Sequence, residues 1–293
     1  MSQLQDLTRC LLAAGYAAHP DGQSTYLLYT NDGTLVLKQW TGDSFGREEL
    51  VATAVRPESA AAILPDPVDS LIFAITPSST LAAFQYDEDE EEWLQDQALS
   101  KYDVHGKGNL SACYTVDHRV CIVFQNASGA LVRVEETEVE SDGSADRGAA
   151  WAATILKKAS DPLHGTPIST VFDDKGLHVF YVSAADQRIH HLREGAAWAD
   201  EEMFDQTWGS LHGIVGSTNK EKGGSFEAYV LTAERVILQV DDGGDRRELG
   251  KVDKDGKLVP SITAECFSVL GFFMVSFSLN VSVQRRRKRI CWY

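Results

Sequence analysis

The chain has 293 residues, of which 43% are hydrophobic and 24% are charged. That composition is typical of a globular protein and excludes a wholly disordered one. The formal net charge of −16 argues against nucleic-acid binding and against docking on anionic lipid, because both require a basic surface. The cysteines form no CxxC pair, and we interpret them as buried small hydrophobes in a reducing, cytoplasmic protein. They are Cys10, Cys113, Cys121, Cys266 and Cys291.

Short apolar runs recur along the chain at intervals of about 50 residues. They begin at positions 11, 60, 110, 168, 211 and 262. The first run, CLLAAGYAA, is superficially similar to the core of a signal peptide. Because it is brief, follows Asp6 and recurs later in the chain, we predict a strand there.

A pair of β-rich segments joined by a tight turn follows each of the first five runs, which is the pattern of a β-hairpin. These hairpins are predicted at 25–40, 71–86, 121–136, 178–192 and 226–240. In four of the units a further segment then leads to an aromatic residue. These aromatics are Phe45, Trp93, Trp151 and Trp198, and we expect the tryptophans among them to pack between repeats.

Four strands per repeat and six repeats predict an all-β fold, a six-bladed β-propeller with about four antiparallel strands per blade. A pair of β-sandwiches is the alternative, but it does not require so regular a period. We predict a single domain over 1–293 with one blade for each repeat. The blades are expected at roughly 8–50, 57–100, 108–155, 165–205, 209–250 and 259–293.

The last predicted blade contains an apolar stretch at 266–283 followed by a basic run at 285–289. Its length approaches that of a membrane span, although several serines and an asparagine interrupt it. We favour two arms of a sixth hairpin over a tail anchor, and a non-native C-terminus is the third interpretation. A membrane location is therefore not expected.

The segments TYLLYTNDGTLVLKQW (25–40) and HVFYVSAADQRIHHLREGAAW (178–198) follow the blade pattern of one known family. The chain resembles the fungal fucose-specific lectin family over nearly its whole length. The resemblance implies a six-bladed propeller with sugar pockets between blades. It also implies that an arginine opening the second strand and a glutamate ending the third would bind the sugar.

At those two positions we place a pair of residues in each of the first five repeats. The pairs are Thr25 and Leu37, Leu71 and Ala83, Cys121 and Arg133, His178 and His191, and Phe226 and Leu238. None of them combines arginine with glutamate. The resemblance therefore predicts the lectin scaffold without its sugar-binding pair.

Two functions are predicted from this combination. The first is a cofactor-independent cyclase of hetero-Diels–Alder type in a fungal secondary-metabolite pathway, because lectin-like propellers of that kind exist. It would bind a hydrophobic small molecule in an aromatic-lined cavity, with His178 and His191 as catalytic residues. Trp40, Tyr86 and Trp208 would bind the ligand.

The alternative is a carbohydrate-binding lectin of altered specificity, or a non-catalytic interaction scaffold. The sequence contains no nucleotide-binding or protease motif, and we interpret the acidic segments at 241–245 and 253–256 as turns rather than calcium loops. We therefore predict no cofactor and no metal. The expected partner is a small molecule or a glycan, not nucleic acid, and a homodimer is compatible with the sequence.

Overall fold

The computed structural model describes residues 3–66, 70–137, 150–219, 225–241 and 243–261. Within these ranges the chain forms one helix, α1 (Gln3–Leu12), and five antiparallel sheets. Strands that follow one another in the chain lie side by side in each sheet. The prediction of an all-β propeller is confirmed.

Four strands build each of the first four sheets, and five build the last. The first two sheets consist of β1 (Gly15–Ala18), β2 (Thr25–Asn31), β3 (Thr34–Trp40), β4 (Phe45–Ala52), β5 (Ala62–Leu64), β6 (Leu71–Ile75), β7 (Leu81–Asp87) and β8 (Glu92–Asp96). The next two consist of β9 (Leu110–Tyr114), β10 (Val120–Gln125), β11 (Leu131–Thr137), β12 (Ala150–Ile155), β13 (Ser169–Asp173), β14 (Gly176–Val182), β15 (Ile189–Arg193) and β16 (Ala199–Glu202). The fifth consists of β17 (Leu211–Asn219), β18 (Ser225–Thr232), β19 (Val236–Asp241), β20 (Arg246–Val252) and β21 (Leu258–Pro260).

The second and third strands of every sheet form the five hairpins that the sequence predicts. The turn between β2 and β3 shows why the first hairpin can be recognised from the sequence. Asp32 and Gly33 have φ of 49° and 81°, and a two-residue hairpin turn of this kind requires positive φ at both central positions. Asparagine, aspartate and glycine tolerate that conformation better than other residues do.

Apolar side chains on both faces of the sheets hold the sheets to one another. All six residues of β10 are buried. Since successive side chains of a strand point to opposite faces, Ile122 packs toward the second sheet and Val123 toward the fourth. The same alternation places Phe180 and Val182 of β14 against Val230 of the fifth sheet. The core is thus a series of layers between sheets.

The helix α1 lies between the fifth and the first sheet. Leu4, Leu7 and Leu11 pack against the fifth sheet, while Cys10 packs against Trp40 of the first. Spacings of three and four residues place the leucines on one helical face. A helix, rather than a sheet, therefore covers the faces that these two sheets turn toward each other.

The prediction of a strand in the run at 11–16 is wrong for its first half. Leu11 and Leu12 end α1, and β1 begins only at Gly15. The helical periodicity was missed because α1 has only 10 residues, and its last turn coincides with the repeated apolar run. Tertiary contacts stabilise a helix this short, since an isolated helix of that length is marginal in water.

Of the six predicted blades, five are present as sheets in the described residues, and the sixth stays a prediction. Residues 259–260, predicted to open the sixth blade, belong to β21 at the edge of the fifth sheet. The remainder of that blade, including the stretch at 266–283 and the basic run at 285–289, lies outside the described residues. Among the described residues, no helix is both long and apolar enough to cross a membrane.

Leu7→Ala should lower the free energy of unfolding by about 2–5 kcal/mol, as expected for a cavity at a fully buried leucine. Leu7 is 0% exposed between two sheets. The matched control is Leu50→Ala in β4, where the side chain is 58% exposed and a change within about 0.5 kcal/mol is expected. Urea unfolding measures both. Equal, small effects would contradict the structural role of α1.

Candidate functional site

His178 and His191 lie together on the face that the fourth sheet turns toward the fifth. The register of β14 and β15 pairs Phe180 with His191 and His178 with Arg193, so the two histidines are diagonal neighbours on one face. Nδ1 of His178 and Nε2 of His191 are 2.9 Å apart. Both side chains are buried, at 2% and 7% exposure.

A carboxylate extends this pair into a chain of three groups. Nε2 of His178 lies 3.0 Å from Oδ1 of Asp173. Partial burial acts to raise the pKa of Asp173, but hydrogen bonds from the Lys175 amide and from His178 hold it below its usual value. The ionised carboxylate can only accept, so His178 donates through Nε2. His191, bonded to Nδ1 of His178, completes the chain.

Burial, followed by the charge of His178, lowers the pKa of His191 to about 3, which makes its neutral form the stable one near neutral pH. Aromatic rings enclose this neutral imidazole. It is stacked on Phe180 with ring centroids 4.7 Å apart and lies 4.5 Å from Phe226 of β18. A Cβ at Gly216 would lie 2.3 Å from the Phe180 ring, so glycine at that position is needed for the ring to fit.

A cavity of about 370 Å³ opens beside His178 between the fourth and fifth sheets. Phe226 supplies an aromatic wall, and its ring centroid lies 4.4 Å from that of His178. Lys175, Arg193 and Glu194 supply charged groups around the cavity. The site therefore combines one apolar surface with several hydrogen-bonding groups.

Two fixed donors hold the Glu194 carboxylate at this cavity. Nη1 of Arg133, from the third sheet, donates to Oε1 over 2.8 Å, and the amide of Leu177 donates to Oε2 over 3.0 Å. Arg133 also pairs with Glu135 of its own sheet. The third sheet thus helps to fix a group of a pocket between the fourth and the fifth.

His190 points to the opposite face of the same strand, as the alternation predicts. Its Nδ1 lies 3.0 Å from Asp200 and its Nε2 lies 3.0 Å from Asp186. Burial acts to lower the pKa of His190, but these two carboxylates raise it. Both ring nitrogens therefore act as donors, which leaves neither free to bind a metal.

One group of potential metal ligands, Asp186, His190 and Glu202, occurs within the part of the chain that the structure describes. Arg188 already pairs with Glu202, and a cation beside a bound metal is unfavourable. The group fits a salt-bridge network better than a metal site, and we assign no metal to it.

The three aromatic residues predicted to bind ligand are not at this cavity. Trp40 is covered by α1: its Nε1 donates to Oδ1 of Asp6 over 2.7 Å, and Arg9 lies over its ring. Trp208 is buried in the core between the fourth and fifth sheets. Tyr86 lies in the second sheet, half-buried, with its ring 5.4 Å from that of Trp93.

Two of the lectin-type pairs were assigned one residue out of register. Tyr26, not Thr25, packs toward the second sheet, so the first pair is Tyr26 and Leu37. In β18, Phe226 faces back toward the fourth sheet, and Glu227 faces away from it. Glu227 accepts a hydrogen bond of 3.1 Å from Gln239, so these two residues form the fifth pair. The change leaves no Arg and Glu pair at these positions in any described sheet.

Phe226, Lys175, Arg193 and Glu194 line this cavity but are not among the site residues that the sequence predicts. Phe226 comes from a neighbouring blade, and the side of β18 on which it lies depends on strand register. Glu194 is close to His191 in sequence, so the sequence could have indicated that it lies near this site. Its position depends on Arg133, which lies 61 residues earlier in the chain.

Five sheets packed face to face, with a cavity between two of them, define the chain as a β-propeller with an inter-blade pocket. No protein-family model matches the sequence, and no curated protein matches it. Solved structures do match in fold. AofleA from Arthrobotrys oligospora aligns with a TM-score of 0.60 at 16% identity, covering 83% of this chain and 73% of that one.

Two lectins show the same likeness. The fungal lectin of Aleuria aurantia, described as a six-bladed β-propeller with a novel mode of fucose recognition, aligns with a TM-score of 0.58 at 14% identity. The match covers 84% of this chain and 80% of that one. The SapL1 lectin in complex with α-methyl fucoside aligns with a TM-score of 0.55 at 14% identity, covering 82% and 77%. The predicted likeness to fungal fucose-specific lectins is thereby confirmed for the fold.

The two adjacent histidines of β15 predict opposite dependences of stability on pH. His191 has a lowered pKa in the folded state, so unfolding takes up a proton between about pH 3 and the ordinary value near 6.5. Its contribution to stability is therefore lost as pH falls, with a limiting slope of about 1.4 kcal/mol per pH unit. His190 has a raised pKa, so its contribution is present in acid and is lost as pH rises.

His191→Gln, which keeps a donor for His178, should flatten the loss of stability between about pH 6.5 and pH 4. The matched control His190→Gln should leave that loss nearly unchanged and should instead remove a loss of stability that the wild type shows as pH rises above about 6.5. Urea midpoints measured from pH 4 to pH 9 test both changes. If the His191→Gln protein follows the wild-type curve, the buried neutral state of His191 is disproved.

Proposed function

We propose that this protein is a carbohydrate-binding propeller that holds a sugar in the cavity between its fourth and fifth sheets. The observation that carries the proposal is the composition of that cavity. Phe226 offers an aromatic wall, while Arg193, Glu194 and Lys175 provide hydrogen-bonding groups around it. Lectins with a similar fold include SapL1 in complex with α-methyl fucoside. They also include a mutant of the Aleuria aurantia lectin in complex with Fucα1-6GlcNAc.

A sugar presents an apolar C–H face and a ring of hydroxyls, and each requires a different partner. An aromatic side chain covers the apolar face, and charged donors and acceptors compete with water for the hydroxyls. Glu194 suits the accepting role because Arg133 and the Leu177 amide already fix its orientation. A cavity of about 370 Å³ lies within the usual range for small-ligand sites.

Specificity is expected to differ from that of an Arg and Glu pocket. The corresponding positions hold His178 and His191, and His191 is neutral near pH 7 because burial lowers its pKa. A neutral imidazole makes weaker hydrogen bonds to hydroxyls than a guanidinium or a carboxylate does. The charged contacts come instead from Arg193 and Glu194, at the end of β15 and just beyond it.

The cavity supports this proposal better than it supports the predicted cyclase. A cyclase of that kind would need an apolar, aromatic-lined cavity for a hydrophobic substrate. Trp40 and Trp208 are occupied in packing contacts, and Tyr86 belongs to the second sheet. None of the comparisons supports the cyclase, which stays a prediction, as does a catalytic role for the two histidines.

A glycan array followed by calorimetric titration of the best glycan tests the proposal. Phe226→Leu keeps apolar bulk and removes the aromatic face, and it should weaken binding by tenfold or more, equivalent to about 1.4 kcal/mol. The control is Phe45→Leu, since Phe45 is an aromatic residue 44% exposed in the first sheet. It should bind as the wild type does.

Two results would contradict the proposal. One is the absence of binding to every glycan at high protein concentration. The other is unchanged affinity of the Phe226→Leu protein for a glycan that the wild type binds, because the sugar would then occupy a different site.

A further inference from the structure

Cys113 and Cys121 lie directly opposite each other in the ladder of β9 and β10. Directly paired residues of an antiparallel ladder have Cα atoms about 4.5 or 5.5 Å apart and side chains on one face. Both separations fall within the range of roughly 4.4–6.8 Å that disulfides span. The Cys121 thiol already donates a hydrogen bond to the Cys113 sulfur. The backbone spacing therefore allows a disulfide between the two residues.

The surroundings of the two cysteines make them unequal. Cys121 is fully buried, at 0% exposure, and Cys113 is half-buried. The Thr170 hydroxyl, from β13 of the fourth sheet, bonds the Cys113 sulfur, and the Arg133 guanidinium lies close enough to attract a thiolate. Glu135, which pairs with Arg133, acts against this attraction.

These contacts set the order in which the two thiols would react. The hydrogen bond from Cys121 lowers the pKa of Cys113 despite its burial, whereas that bond and burial raise the pKa of Cys121. The thiolate is the reactive form of a cysteine. Cys113 is thus the more reactive and more accessible thiol, and Cys121 is placed to attack it afterwards.

We propose that Cys113 and Cys121 form a redox-active dithiol that oxidises reversibly to a cross-strand disulfide by exchange with low-molecular-weight disulfides. The Cys113 thiolate attacks one sulfur of the small disulfide, whose S–S bond breaks and releases one thiol. Cys121 then loses its proton and attacks the Cys113 sulfur, releasing the second thiol. Two protein thiols are oxidised, and one small disulfide is reduced to two thiols.

The test exposes the folded, full-length protein to cystamine, a disulfide small enough to reach a half-buried thiol. Peptide mapping by mass spectrometry should find Cys113 linked to Cys121, with the loss of two hydrogen atoms from the protein. Dithiothreitol should restore both thiols. A disulfide joining either cysteine to Cys10, Cys266 or Cys291 instead, or a persistent cysteamine adduct on Cys113, would overturn the proposal.

Single substitutions separate the roles of the two thiols. Cys121→Ala keeps the buried position apolar and should arrest the reaction as a cysteamine adduct on Cys113. Cys113→Ser should give neither adduct nor disulfide at this site. The control Cys10→Ala, in α1, should form the Cys113 to Cys121 disulfide as the wild type does. A Cys121→Ala protein without an adduct would show that Cys113 is not the attacking thiol.

Discussion

The packing of sheet against sheet is the constraint on which the rest of the structure depends. Both faces of the inner strands are apolar, so a single sheet would leave both faces in water, at a cost proportional to their area. Each sheet is stable only between neighbours. Where the fifth and first sheets would otherwise expose such faces, α1 packs its leucines against the fifth sheet and Cys10 against Trp40 of the first.

This constraint also determines where a ligand can bind. The layers between sheets are closed mainly by apolar residues. His178 and Arg193 lie at an end of the β14 and β15 ladder, where it meets the loops. The cavity is thus a local opening of one inter-sheet layer, lined by residues from both sheets. Arg133 connects it to the next layer through Glu194.

Because side chains alternate between the faces of a strand, adjacent residues can have different surroundings and different pKa shifts, as two histidines of β15 show. His190 lies among carboxylates and has a raised pKa, whereas His191 lies among aromatic rings and has a lowered one. One residue of register therefore separates a salt-bridge network from a candidate ligand pocket. The dithiol of the third sheet follows the same rule, because only cysteines on one face of neighbouring strands can meet.

Local patterns were sufficient to predict the repeated hairpins and the propeller. Those features follow from turn residues and from contacts between strands that are close in sequence. The assignments at Thr25 and at Phe226 were wrong by one residue, because turn length leaves the choice of face open until the ladder is known. The roles predicted for Trp40 and Trp208 depended on what covers them, and no local pattern contains that information.

By itself, then, the sequence determined that this chain forms repeated antiparallel hairpins, because alternation and turn chemistry act over a few residues. Only the tertiary structure decided that a helix lies between the fifth and first sheets and that Phe226 lies against His178. It also decided that Arg133 fixes Glu194, and that Thr170 lies beside Cys113. Each of those contacts joins residues tens of positions apart, and it exists only because burial of both sheet faces brings neighbouring sheets together.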